Sequence, residues 1–429
     1  MKKKIALGLF FTAGIVAALA GCGNQPAETG APEETEIPIE SPEEEVTLES
    51  GTVELTMWSE TANFDLLNTM IESFKAEQAG EVDLKVNLVE NADANIRENV
   101  LNDVHNAPDI FVMVDDQLTD LVGGGALHPV ENQEEVKQAN LEDAVAAASV
   151  GDTLYAYPMT ADNGYFLYYD KKYLSDVDVQ TLDGILTVAA ANEKKFTMDW
   201  SSGWYLYAFF GGTGLDFGIN EDGITNYCNW NATEGDVKGV DIAQAMLTIG
   251  AHPGFKNCLD AEFLEGVKNG SVIAGVSGVW NAVEIQQAWG KDYGAVKLPT
   301  YTCEGKQIQM SSFKGYKMLG VNYYSKQKGW ALKLADYLTN EENQKLRLEV
   351  RNQGPSNKNV ASSELVGSIP AIQAVIAQAE YGKLQRVGNS YWDPFMDFGE
   401  MMAAGNLKGM ELQEVMDMLV AGITASTVQ

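Results

Sequence analysis

Two short segments, Trp58-Ser59-Glu60 and Asp115-Asp116-Gln117, place an indole, carboxylates and an amide directly after readable strands. Such side chains can stack on a flat apolar face and accept hydrogen bonds. The wider inventory fits binding better than catalysis. Eight Trp and 17 Tyr supply aromatic faces, and 61 acidic residues supply acceptors. With that many carboxylates, chance pairs are inevitable, so their abundance does not argue for glycoside hydrolysis, which needs two at a set separation. His105, His128 and His252 are far apart in sequence, and no HExxH, GxSxG or P-loop occurs. Gly123-Gly124-Gly125 follows a helix and reads as a turn. Cys228, Cys258 and Cys303 include no CxxC, which argues against a zinc ribbon or a disulfide scaffold, while a Cys228–Cys258 bridge or three free thiols both stay open. No catalytic residue, cofactor or metal is expected.

The elements that must hold these residues are legible. Val53, Leu55 and Met57 alternate along a strand that ends at Trp58. From Phe64, the residues Leu67, Met70, Ile71 and Phe74 recur at helical spacing. Val82, Leu84, Val86 and Leu88 alternate again, a polar helical stretch runs over 94–104, and 108–114 reads as a buried strand. That β-α-β-α-β order predicts a mostly parallel sheet covered by helices. Ligands bind beyond the carboxyl ends of strands in such sheets. Residues 51–429 are too many for one core and suit two lobes.

The amino terminus predicts location. Lys2, Lys3 and Lys4 precede an apolar run of 16 residues, Ile5 to Ala20. This is shorter than the ~20 residues a membrane-crossing helix needs, so it reads as a secretory signal. Leu19-Ala20-Gly21-Cys22 resembles the bacterial lipobox. The resemblance implies cleavage before Cys22, which would carry the lipid anchor. Residues 23–50 hold nine Glu, four Pro and no aromatic residue, and are expected to form a disordered, extended tether. The chain carries −32; with the signal's three Lys and the tether's nine Glu set aside, residues 51–429 carry −26. So acidic a body is unsuited to nucleic acid and to anionic lipid, which leaves membrane attachment to the anchor.

Seven segments in register resemble the extracellular solute-binding proteins of bacterial ABC importers. They are Leu55-Thr56-Met57-Trp58 with Ala107-Pro108-Asp109-Ile110, the stretch Gly151 to Pro158, Tyr168-Tyr169-Asp170-Lys171, Gly278-Val279-Trp280, Leu298-Pro299-Thr300, and Tyr337 to Glu342. The nearest branch is the maltose/maltodextrin-binding type. The resemblance implies an α/β fold of the type II periplasmic-binding-protein-like class, with two lobes and a ligand cleft between them. It assigns 51–160 and 317–364 to the N-terminal lobe, and 163–314 and 366–429 to the C-terminal lobe. The crossings are expected near Thr160–Gly164, Phe313–Gly315 and Val366–Gly367.

The same resemblance implies a sugar site. Aromatic rings suit the C–H face of a pyranose, and acids and amides suit its hydroxyl rim. Trp280, the segment Tyr391-Trp392-Asp393 and Trp204 fall where the family places aromatic contacts; Tyr391 and Trp392 are both carried as binders. Trp58 and Glu60 stand at the first strand exit. Asp116 matches the family's aspartate. Asn63 stands where the family has an acid-lysine pair, and Asp162 with Asn163 where it has a glutamate. Gln117 replaces the family's arginine and Met113 its tryptophan, which puts linkage and chain-length preference in doubt. The expected protein is a lipid-anchored, monomeric receptor that is not an enzyme. It would capture an oligosaccharide, with maltose or malto-oligosaccharides the first choice, and pass it to permease subunits by hinge closure. The alternatives are a surface-anchored carbohydrate-active enzyme, an adhesin, or a receptor for another sugar such as a xylo-oligosaccharide.

Overall fold

Residues 51–59 alternate buried and outward-facing side chains, as a half-covered strand requires. They form the strand Gly51–Ser59 of a computed structural model that describes residues 46–220 and 222–426. The helix Phe64–Glu77 follows and buries Leu67, Met70, Ile71 and Phe74, the residues whose spacing predicted it. The polar stretch at 94–104 is shorter than expected: a single 3-10 turn, Asp93–Asn95, leads into a helix that ends at Asn102. The strand Val82–Glu90 lies at a sheet edge, and of its four alternating apolar residues only Leu84 is fully buried.

Two five-stranded sheets organise the chain. In the first, the spatial order is Val82–Glu90, Gly51–Ser59, Ile110–Val114, Lys317–Val321, Ala156–Thr160. In the second it is Phe255–Asn257, Lys195–Met198, Val272–Ser277, Phe166–Asp170, Tyr293–Val296. Each sheet has three adjacent parallel strands, then one antiparallel to both its neighbours: Lys317–Val321 in the first and Phe166–Asp170 in the second. Separate apolar cores lie against the two sheets.

Each antiparallel strand is entered from the other lobe. The chain leaves the first sheet at Thr160 and enters the second at Phe166. It returns through Ser312–Lys314, which pairs with Gly382–Leu384, and enters the first sheet at Lys317. Near the third crossing, expected at Val366–Gly367, the contacts divide. Asn357 is still bridged to Asn140 of the first lobe, whereas Val360 and Val366 are buried with Phe166, Tyr168 and Ile372 in the second.

Two buried carboxylates fix the crossings. Asp162 accepts a hydrogen bond from the Gly354 amide, and Ala161 donates to the Gly354 carbonyl (2.9 Å). Asp115 Oδ1 accepts from the Tyr316 amide at 2.9 Å, while the Asp115 amide donates to the Tyr316 carbonyl. A Cβ at Gly315 would stand 2.5 Å from Asp115 Oδ1, so the close approach requires glycine there.

At the amino-terminal edge, ordered contacts begin before residue 51. Val46 packs against the first core, and Trp330 Nε1 donates to the Glu49 carbonyl at 2.8 Å. Residues 46–50, expected from composition to belong to the tether, therefore lie against the body, because they have a helix to lie on. Trp330 is buried, as its helical spacing with Leu334 and Leu338 predicts. Cys228, Cys258 and Cys303 are free thiols. Cys22 and most of the tether lie outside the described residues.

Burial pushes Asp115 from 3.8 up to about 7; the Tyr316 amide opposes the shift and the charge of Asp116 adds to it. Between those values the folded chain holds a proton that the unfolded chain has released, so stability falls as pH rises through this window. One such group contributes a slope of at most about 1.4 kcal/mol per pH unit. Asp115→Asn keeps an oxygen for the Tyr316 amide but removes this titration. The melting temperature of the variant relative to the native protein should rise between pH 5 and pH 8. A difference independent of pH would contradict the assignment.

Candidate functional site

Loops after the carboxyl ends of parallel strands in both sheets open onto one cavity of about 710 Å³. From the first sheet come Glu60 and Asn63 after Gly51–Ser59, Asp93 and Arg97 after Val82–Glu90, and Asp116 and Gln117 after Ile110–Val114. From the second come Ser202 and Trp204 after Lys195–Met198, Asp260 after Phe255–Asn257, and Trp280, Asn281 and Glu284 after Val272–Ser277. Asn163 enters from a crossing, Lys317 from the start of its strand, and Arg351, Gln353, Gln385 and Trp392 from later segments. This is the placement expected for ligand sites on open α/β sheets.

The walls differ in chemistry. Three half-buried indoles, Trp204, Trp280 and Trp392, all belong to the second lobe. The first-lobe wall is carboxylate, amide and cation. Trp280 is held by a hub at Asp260: Oδ2 accepts from Trp280 Nε1 (2.9 Å) and Asn281 Nδ2 (2.7 Å), and Oδ1 from Ser277 Oγ (2.6 Å). Its ring lies directly on Gly278, where a Cβ would come within 1.9 Å of the indole. Trp204 is fixed by edge packing on Tyr165 (centroids 4.6 Å apart) and lies 5.8 Å from Trp280.

Two side-chain bonds span the cleft, and others brace its walls. Gln385 accepts from Trp204 Nε1 (2.8 Å) and donates to Asp116 Oδ2 (3.0 Å), so one amide links the aromatic wall to the acidic one. Arg97 donates to Asn389 Oδ1 at 2.6 Å and pairs with Asp120 at 3.1 Å. Lys317 is paired with Asp93 at 2.6 Å. Burial alone would lower the Lys317 ammonium, but Asp93 and Glu60 outweigh it and raise the group above its ordinary value. Burial pushes Asp116 up to about 6 against the opposing bond from Gln385.

Seven of the ten residues expected from the sequence share this cavity: Glu60, Asn63, Asp116, Asn163, Trp204, Trp280 and Trp392. Three sit elsewhere. Trp58 precedes the last residue of its strand and packs against the first-lobe core, because the strand runs on to Ser59 before the wall begins. Asp162 is buried at the crossing, its carboxylate taken by the Gly354 amide. Tyr391 is fully buried and donates to the Gly203 carbonyl at 3.0 Å, beside Phe217 and Phe395. The alternation of neighbours explains the last: Trp392 turns to the cleft and Tyr391 to the core. Asp93, Arg97, Asp260, Glu284, Lys317, Arg351 and Gln385 were not anticipated. Asp93 and Asp260 carried a usable signal, since each follows a strand, but the short strand Phe255–Asn257 has no readable alternation.

A family model described as bacterial extracellular solute-binding protein matches residues 69–374, more than half of the chain. A galactooligosaccharide-binding protein of Bacillus subtilis (strain 168) is 28% identical over 345 residues, which are 77% of this chain and 79% of that protein. A structure solved with acarbose superimposes with a TM-score of 0.76 at 26% identity, covering 87% of this chain and 99% of the other. A maltodextrin-binding protein from L. casei BL23 without ligand gives 0.73 at 23% identity, covering 87% and 100%. These neighbours share the two-lobe type II architecture described above.

The packing of Trp280 on Gly278 has a direct consequence. Gly278→Ala must displace the indole and break its bond to Asp260, an overpacking change costing about 1–3 kcal/mol. Near-ultraviolet circular dichroism should lose part of its tryptophan signal while the far-ultraviolet spectrum is kept. Unchanged spectra and melting would show that the ring does not rest there.

Proposed function

Because the chain belongs to the bacterial extracellular solute-binding proteins, we propose that it is the oligosaccharide receptor of an ABC importer. It is held by a lipid on Cys22 to the outer face of the bacterial membrane and works as a monomer. The observation that carries the reading is the asymmetry of the cleft. All three indoles stand on the second-lobe side, and the first-lobe side is acids, amides and the paired cations Arg97 and Lys317. That pairing suits a pyranose, which has an apolar face and a rim of hydroxyls.

Neither wall holds the ligand alone, so a sugar that touches both shifts the population toward the closed form by its differential affinity for it. The permease subunits would read that closed shape. No step of this cycle makes or breaks a bond in the sugar, so the ligand is released intact.

Maltose and malto-oligosaccharides are the first choice of ligand, in line with the maltodextrin-binding neighbours in structure. A galacto-oligosaccharide is the second reading, favoured by the Bacillus subtilis relative, which is the more similar in sequence.

Titration calorimetry of the mature protein against malto- and galacto-oligosaccharides of two to four rings tests the reading and chooses between the ligands. Trp280→Ala and Trp392→Ala should each weaken the tightest ligand by about 2 kcal/mol, roughly thirtyfold, because each removes a rigid stacking face. Tyr391→Ala should instead cost about 3–5 kcal/mol of folding stability, as a core aromatic does. Lost stability with unchanged affinity in both Trp variants would remove the proposed stacking wall. Chromatography after long incubation should return the sugar intact, and turnover above a heat-killed control would replace a receptor with an enzyme. In cells, Cys22→Ala should abolish membrane retention; retention of that variant would rule out the anchor.

A further inference from the structure

Within the cleft, every cation is already matched to a carboxylate. Lys317 pairs with Asp93 at 2.6 Å, Arg97 with Asp120 at 3.1 Å, and Arg351 lies 3.9 Å from Glu284. On the acidic side the account does not balance. Glu60 lines the cavity, and its carboxylate has no hydrogen bond or ion pair of its own among the described residues. Asp116 receives only the neutral amide of Gln385 on Oδ2, while its Oδ1 is buried without a partner. Both stand on the first-lobe wall, opposite the indoles.

The unsatisfied polar atoms of the cavity point the same way. Buried without a partner among the described residues are Asp93 Oδ1, Asp116 Oδ1, Gln117 Oε1 and Glu284 Oε2, all acceptors, against a single donor, Arg351 Nε. A wall of this kind is completed by a ligand that brings hydrogen-bond donors. Sugar hydroxyls bring them. An ionised carboxylate, sulfate or phosphate brings only acceptors and adds negative charge to a cavity whose carboxylates, Glu60, Asp93, Asp116, Asp260 and Glu284, already outnumber its cations, Arg97, Lys317 and Arg351.

We propose that the cleft admits neutral oligosaccharides and rejects their acidic counterparts, with Glu60 and Asp116 as the residues that set this discrimination. The proposal rests on the oligosaccharide reading and adds a repulsive element to it, since specificity is a difference between two affinities and like charge is an effective way to build it. The indole wall stacks on a neutral ring and a uronic acid ring alike, so it cannot supply this selection. The first-lobe carboxylates can.

The test uses the mature protein with maltotriose and galactotriose, each beside its fully C6-oxidised counterpart, so that any ring at the first-lobe wall carries a carboxylate. At pH 8, calorimetry should show the oxidised form of whichever trisaccharide binds to be weaker by at least about tenfold. Glu60→Gln and Asp116→Asn, measured separately and each checked by melting, should narrow that ratio whatever they do to the neutral sugar. A variant that merely loosened the site would weaken both ligands and leave the ratio unchanged. Equal affinity for the two forms in the native protein, or a ratio unmoved by either variant, overturns the proposal and leaves the oligosaccharide reading standing. Binding of neither neutral trisaccharide, nor of longer members of either series, overturns both.

Discussion

The architecture depends on how the chain is pinned where it passes between the two sheets. Asp115 and Asp162 are carboxylates buried at the crossings, and each accepts from a backbone amide distant in sequence, Tyr316 and Gly354 respectively. Taking a carboxylate out of water is costly unless it is bonded, so these positions are over-determined by their surroundings. Gly315 and Gly354 allow the close approach; a Cβ at Gly354 would stand 2.9 Å from that of Asp162. Because the crossings are fixed, each lobe's antiparallel strand is entered from its partner, and the carboxyl ends of the parallel strands in both sheets open onto the same cavity.

From this constraint the division of labour follows. The second lobe supplies rigid stacking surface, each indole held by identifiable partners: Trp280 by Asp260 and Gly278, Trp204 by Tyr165 and Gln385, and Trp392 by edge packing on Tyr391. The first lobe supplies acceptors. Gln385 and Arg97 reach across and bond to the opposite lobe. These contacts are polar and few, so the hinge closure proposed above would exchange only a handful of hydrogen bonds and leave both apolar cores intact.

Much of the fold was legible because it rests on local periodicity. The alternation of Val53, Leu55 and Met57 and the helical spacing from Leu67 to Phe74 identified the first β-α unit, and the resemblance of later segments supplied the two-lobe plan. Nothing local marks the third crossing; Val360 and Val366 share a buried cluster with Phe166 and Tyr168, far away in sequence. Within the site, strand ends and motif positions located the acids at 60 and 116 and the three indoles. Tyr391 and Asp162 were misassigned because a single-residue difference in orientation separates core from cleft, and only packing settles it. Lys317, Arg351 and Gln385 escaped notice since lone polar residues on later segments carry no pattern.

The central claim is that an oligosaccharide lies between the indole wall and the acidic wall. A crystal structure of the mature protein with its tightest-binding sugar at saturation tests this most directly. The account predicts sugar rings stacked on Trp280 and Trp392, with hydroxyls within hydrogen-bond distance of Glu60 and Asp116. Sugar bound outside this cleft, or a cleft that stays free of it at a concentration where calorimetry shows saturation, would contradict the account.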